Sequence, residues 1–209
     1  MKDWKLILGV IIGSATLVMV MIFGLSKISS GGNAGTKVDQ ATLLDGAQLV
    51  KENGPTKVSV VVFSDVQCPA CKAADGVMRT LRDEAGVQFV YRHFPLTIHR
   101  NSKKAADAVE AARQLGNPWQ MLDLMFDKQD DWAGDSDPQP KFVEYAKSLG
   151  MDDKKFIEAM NSQATAATVS ADLSLGDRLQ ITGTPSIFIN GELTATQFVV
   201  DKVNQLLKQ

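Results

Sequence analysis

An α/β domain interrupted by a helical insertion is predicted by three observations. A β-branched run, Val58 to Phe63, leads directly into Cys68-Pro69-Ala70-Cys71, which holds the only two cysteines among 209 residues. Helical periodicity then runs from Asn101 to about Leu179, and strand character returns only at Ser186 to Ile189. Strands at both ends with helices between them imply one interrupted α/β domain. The composition, 44% hydrophobic and 22% charged, is that of a globular protein, and a formal charge of −2 gives no sign of a nucleic-acid partner.

Taken in order, Leu6 to Leu25 is an uncharged apolar run preceded by Lys2 and Lys5. Its length suits a membrane-spanning helix, and the early lysines favour a cytoplasmic N-terminus. The expectation is therefore a retained anchor over residues 1–27, a transmembrane signal-anchor that places the rest of the chain outside the cytoplasm. A cleaved signal peptide is the alternative, disfavoured because its apolar region is usually about 7–15 residues. Residues 28–37, rich in Ser and Gly, read as a flexible linker, and the folded domain is expected over 38–209.

Val58 to Phe63 has the near-continuous apolar character of a strand buried on both faces. Pro69 suits the first position of a helix, which makes Cys68 its N-cap; Ala74, Val77, Met78 and Leu81 then recur on one face, and Gly86 closes it. Val87 to His93 reads as a second strand, giving a parallel βαβ unit with the cysteines at the carboxyl end of the first strand. Within the insertion, at about 101–179, Ser102 is expected to cap a helix running to Leu115, Pro118 to sit just inside the next, and Asp131 to Pro140 to form a loop. Asn190-Gly191 signals a two-residue hairpin after Ser186–Ile189, and a last helix is expected from about Thr196.

A cysteine at a helix N-cap faces unsatisfied backbone N–H groups and the positive end of the helix dipole, so thiolate is favoured over thiol. Pro69 has no N–H, which leaves the amides of Ala70 and Cys71 as donors. Cys68 is the expected nucleophile and Cys71, one turn on and deeper, the resolving thiol. A structural disulfide is the first alternative, but two cysteines in one helical turn constrain almost no chain. A zinc site completed by His93 and His99 is the second. Against it, 21 residues separate Cys71 from His93, more than the usual interval of about 12–15. No metal or other cofactor is expected. Asp65 reads either as a proton-moving acid or, more simply, as a partner for its local backbone.

The motifs Phe63-Ser64-Asp65-Val66-Gln67-Cys68-Pro69-Ala70-Cys71, Tyr91-Arg92-His93-Phe94-Pro95-Leu96 and Gly183-Thr184-Pro185-Ser186 resemble, in order and spacing, the DsbA-like branch of the thioredoxin superfamily. The resemblance implies a thioredoxin fold interrupted by a helical insertion, with Cys68 as an exposed nucleophile. It implies Cys71 as the resolving cysteine and a cis Thr184-Pro185 bond beside the sulfurs, where the Thr184 backbone pairs with extended substrate.

The resemblance also implies a protein-disulfide oxidoreductase, and the expected anchor places it outside the cytoplasm. Its substrates would be unfolded or extended exported polypeptides with cysteines, and a membrane redox partner would reoxidise it. A dithiol oxidase is the expected direction, with a reductase, an isomerase or a peptide-binding chaperone using the same groove as alternatives. Ala70 stands where the strongest oxidases of the family carry histidine.

Overall fold

The structure, a computed structural model, describes residues 37–209. Its strands are β1 (Leu49–Glu52), β2 (Val58–Ser64), β3 (Val87–His93), β4 (Ser186–Ile189) and β5 (Glu192–Thr194), arranged in the order β1-β3-β2-β4-β5. The helices are α1 (Gln40–Leu44), α2 (Pro69–Asp83), α3 (Ser102–Gln114), α4 (Pro118–Asp127), α5 (Gln129–Trp132), α6 (Gln139–Ser148), α7 (Asp153–Met160), α8 (Gln163–Arg178) and α9 (Val199–Leu207).

All seven residues of the central strand β2 are buried, as its β-branched composition requires. It pairs in parallel with β3, Val58 opposite Val87 and Ser64 opposite His93, so α2 is the crossover of a βαβ unit. Strand alternation divides two cores. Val58, Val60 and Val62 meet Met78 and Leu81 of α2, Val199 and Val203 of α9, and the helices α3 to α7. Val61 and Phe63 meet Leu43 of α1, Phe94, Leu175 of α8 and Phe188. The sheet is therefore covered on both faces.

Helices α3 to α8 lie between β3 and β4 in the chain. Helix α3 is the hub: Ala105, Ala106, Ala108, Ala111 and Ala112 are all buried, and such small side chains let α4, α7 and α8 approach it. Trp132 is fully buried, donating from its indole N–H to the Met125 carbonyl (2.9 Å) and meeting Phe142 edge-on at 5.1 Å. At the far side of the sheet the Asn190-Gly191 turn joins β4 to β5 with both residues at positive φ. A Cβ on Gly191 would collide with the Val38 carbonyl, whose own amide donates to Gly191 O at 2.8 Å.

Several details depart from expectation. Ser102 is the first residue of α3 rather than its cap; Asn101 holds the cap position, and the Ser102 hydroxyl reaches the Leu96 and His99 carbonyls at 2.9 and 3.0 Å. The loop expected from Asp131 begins inside the one-turn helix α5. The short elements α1 and β1 were not anticipated, because neither is long enough to develop a period.

The expected membrane anchoring is corrected. Among the described residues no helix is long and apolar enough to cross a membrane, because these helices are short or have one face turned to solvent. The run Leu6 to Leu25, on which the transmembrane signal-anchor and the membrane-anchored localisation rested, and nearly all of the linker lie outside the described residues.

Candidate active site

The carboxyl end of β2 delivers the chain into a tight turn, Asp65 to Gln67, that sets Cys68 at the head of α2. The Cys68 amide donates to the Asp65 carbonyl at 3.0 Å, and Cys68 holds the extended conformation of an N-cap with Pro69 behind it. The turn is held by its own acid. One Asp65 carboxylate oxygen accepts the Gln67 amide (2.8 Å), and the other accepts the Leu96 amide (3.0 Å) and meets His99 Nδ1 at 2.7 Å. The Gln67 contact is the local backbone partner expected of Asp65, and Leu96 and His99 add partners from distant parts of the chain.

The insertion clasps the same turn from outside. Gln129 Nε2 donates to the Val66 and Cys68 carbonyls (2.6 and 3.2 Å), Gln67 Nε2 donates to Ala133 O (2.8 Å), and Gln67 Oε1 accepts the Asn101 amide (2.7 Å). These glutamines are positioning groups that the sequence reading missed. Gln67 stood beside the cysteines, but nothing in the sequence pointed to Gln129, which meets the turn from 61 residues away.

All four expected site residues come together. The Thr184-Pro185 bond is cis, and the Thr184 carbonyl lies 3.5 Å from Cys68 Sγ, accepting from the thiol. Both cysteines are free thiols. Cys68, expected to be exposed, is only 7% accessible, and Cys71 is 2% accessible. Cys68 is covered because its sulfur turns inward against Thr184.

Their acidities diverge. The Cys68 thiol is lowered from 9.0 to about 5, chiefly by the hydrogen bond that the Cys71 thiol donates to it. Burial opposes the shift, while the Thr184 side chain and the Cys71 and Ala70 amides support it. No amide closes a capping hydrogen bond to the sulfur, so those two act through the field at the helix N-terminus. Cys71 is pushed the other way, first by donating to Cys68 and then by burial. Nearby, His93 is fully buried with neither ring nitrogen hydrogen-bonded among the described residues, and burial, aided by the charge of Arg113, lowers its pKa to about 3. It is neutral at physiological pH.

A dithiol of unequal acidity on this fold defines the protein-disulfide oxidoreductases, a class of enzyme. The chain belongs to the thioredoxin family, whose model, described as thioredoxin, matches residues 50–209. Among solved structures it is similar to oxidised BdbD from Bacillus subtilis, with 22% identity and a TM-score of 0.68 over 84% of this chain and 98% of that one. It is also similar to the thiol-disulfide exchange protein alpha-DsbA2 from Wolbachia pipientis, with 22% identity and a TM-score of 0.65 over 80% and 91% of the two chains. These likenesses establish the DsbA-like fold, and with it the expected thioredoxin fold and its helical insertion. A curated relative, Na(+)/H(+) antiporter NhaA 3 from Salinispora tropica, is 35% identical over 136 residues, 64% of this chain and 20% of that protein. The chain thus spans about a fifth of the length of that relative.

Proposed function

We propose that the chain is a dithiol oxidase that introduces disulfides into exported proteins in an extracytoplasmic compartment. In its disulfide form a substrate thiolate attacks Cys68 Sγ and Cys71 leaves. A second substrate thiolate then attacks the substrate sulfur of the mixed disulfide and expels Cys68 as thiolate. The substrate gains a disulfide and Cys68 and Cys71 gain two electrons, which a redox partner at the membrane removes to complete the cycle. The Thr184 backbone, next to Cys68, is the platform on which an extended polypeptide with cysteines adds as a strand.

What supports this direction is the setting of Cys68, at the N-cap of α2 with its sulfur against Thr184 and Cys71, which lowers its pKa. A thiolate stabilised to about 5 is a good leaving group and favours the reduced enzyme, so the disulfide is oxidising. Thioredoxin and DsbA cysteines lie at about 7 and about 3.5, so a lowered Cys68 pKa supports the oxidase direction even with Ala70 in place of histidine.

Equilibration against glutathione buffers tests the direction. A reduction potential clearly above about −270 mV, the thioredoxin value, is expected, and one at or below it would assign a reductase instead. Cys68→Ser should abolish oxidation of a reduced, unfolded substrate; retained function in that variant would leave a peptide-binding chaperone as the better reading.

A further inference from the structure

Beside Cys71 lies a cavity of about 20 Å³ whose lining includes Cys71, Ser64, Tyr91, Pro185, Asp75 and Arg79. That volume holds about one water molecule, provided polar groups are there to bind it. They are. The Tyr91 hydroxyl is buried without a hydrogen-bond partner among the described residues, which marks a place for a bound donor or acceptor. Ser64 lies against the Cys71 sulfur.

Asp75 follows Cys71 by one helical turn, so both side chains leave the same face of α2. It is the one carboxylate lining the cavity among the described residues, its side chain is 10% exposed, and Arg79 holds it at 2.5 Å. Strand β2 offers Val62 and Ser64 to this space, neither of them a carboxylate, and the Asp65 carboxylate is committed to Gln67, Leu96 and His99.

We propose that Asp75 exchanges a proton with the Cys71 sulfur during each turnover, through the water-sized cavity that both side chains line, with Arg79 as its positioning partner. The inference rests on the reading of Cys68 and Cys71 as the reacting pair. When a substrate thiolate attacks Cys68 Sγ, the Cys68–Cys71 bond breaks and its electron pair goes to Cys71 Sγ, which takes the proton of the Asp75 carboxyl group. In the reverse leg Cys71 S–H gives that proton to the Asp75 carboxylate and its sulfur attacks Cys68 Sγ. The mixed disulfide breaks, and the partner leaves as a thiolate. No further co-reactant is needed.

The energetics fit this role. Cys71 resists ionisation, so a base must take its proton as it attacks. Burial pushes Asp75 up to about 6, against the pull of Arg79 and with the help of Asp123 and Asp127, and an acid that titrates near the working pH is the efficient proton carrier. The charged and titratable groups around it are Arg79 and Arg82 on α2, Asp123 and Asp127 on α4, and Tyr91 on β3.

Stopped-flow oxidation of the reduced protein by oxidised glutathione separates attack by Cys68 from resolution by Cys71. In Asp75→Asn, which removes a charge that burial disfavours and should fold, attack should change less than about two-fold while resolution slows by about 10²-fold or more and loses its inflection near pH 6. Asp75→Glu should restore the inflection. Resolution within about two-fold of wild type, with the same pH profile, would overturn the proposal. If Asp75→Asn does not fold, Arg79→Gln decides: the inflection should move upward by at least about half a pH unit, and an unmoved inflection rejects Asp75. Failure of the underlying reading looks different, since Cys71→Ser would then trap no glutathione on Cys68.

Discussion

A single sulfur shows how much one residue's surroundings decide. Cys68 was legible as an N-cap thiolate because proline after cysteine marks a helix start. The two amides expected to help it, those of Ala70 and Cys71, do lower its pKa. Hidden from the sequence was the larger contribution, the Cys71 thiol itself, together with the burial that opposes it. The shift makes a sign-definite prediction. The folded-state pKa lies below the unfolded value of 9.0, so ionised Cys68 stabilises the reduced protein fully above pH 9, and that gain is lost as pH falls through about 5. Between those limits the slope is at most about 1.4 kcal/mol per pH unit. Cys71 is shifted upward and stays protonated in both states below pH 9, so it leaves the slope unchanged. The melting temperature of the reduced form minus that of the oxidised form should rise from pH 5 to pH 8, and a pH-independent difference would mean that Cys68 is not the stabilised thiolate.

At the scale of elements, long periodic segments were readable and close approaches were not. The βαβ unit around α2 and the Asn190-Gly191 hairpin follow from strong local signals, whereas α1 and β1 exist because the edge of β3 and the second core recruit them. Gly176 is a case that reads one way in sequence and another in space. Inside α8 a glycine looks like a local weakness costing about 1 kcal/mol against alanine. Here it lets the helix pass over Phe94, since a Cβ would overlap the Phe94 ring and sit 3.4 Å from Phe63. Those rings meet edge-on at 6.3 Å, which leaves Phe94 little room to retreat. Gly176→Ala should therefore destabilise the protein by about 1–3 kcal/mol in urea unfolding, despite its better helix propensity. An unchanged or raised midpoint would show that Phe94 can give way.

At the scale of the whole molecule, a buried ion pair helps tie the insertion to the sheet. Arg92 Nη1 meets Asp172 Oδ1 at 2.7 Å, with both side chains at most 3% exposed. The same guanidinium donates to the Leu43 and Asp45 carbonyls at 2.8 and 2.6 Å, and the other Asp172 oxygen accepts the His93 amide at 3.0 Å. One cluster thus joins α1, β3 and α8. In the sequence Arg92 is one residue of the second motif and Asp172 one acid of the helical insertion, and nothing local pairs residues 80 positions apart. Truncating one partner leaves a buried charge alone, which costs about 3–5 kcal/mol, so Asp172→Ala should lower the unfolding free energy by that much. Replacing both partners with apolar residues of similar volume, Arg92→Met with Asp172→Leu, should cost much less than the single change, because no unpaired charge remains, although the Leu43, Asp45 and His93 backbone groups lose their partners. Chemical denaturation of the three proteins decides this. A double variant as unstable as Asp172→Ala would mean that the backbone hydrogen bonds, rather than the charge pair, hold the insertion to the sheet.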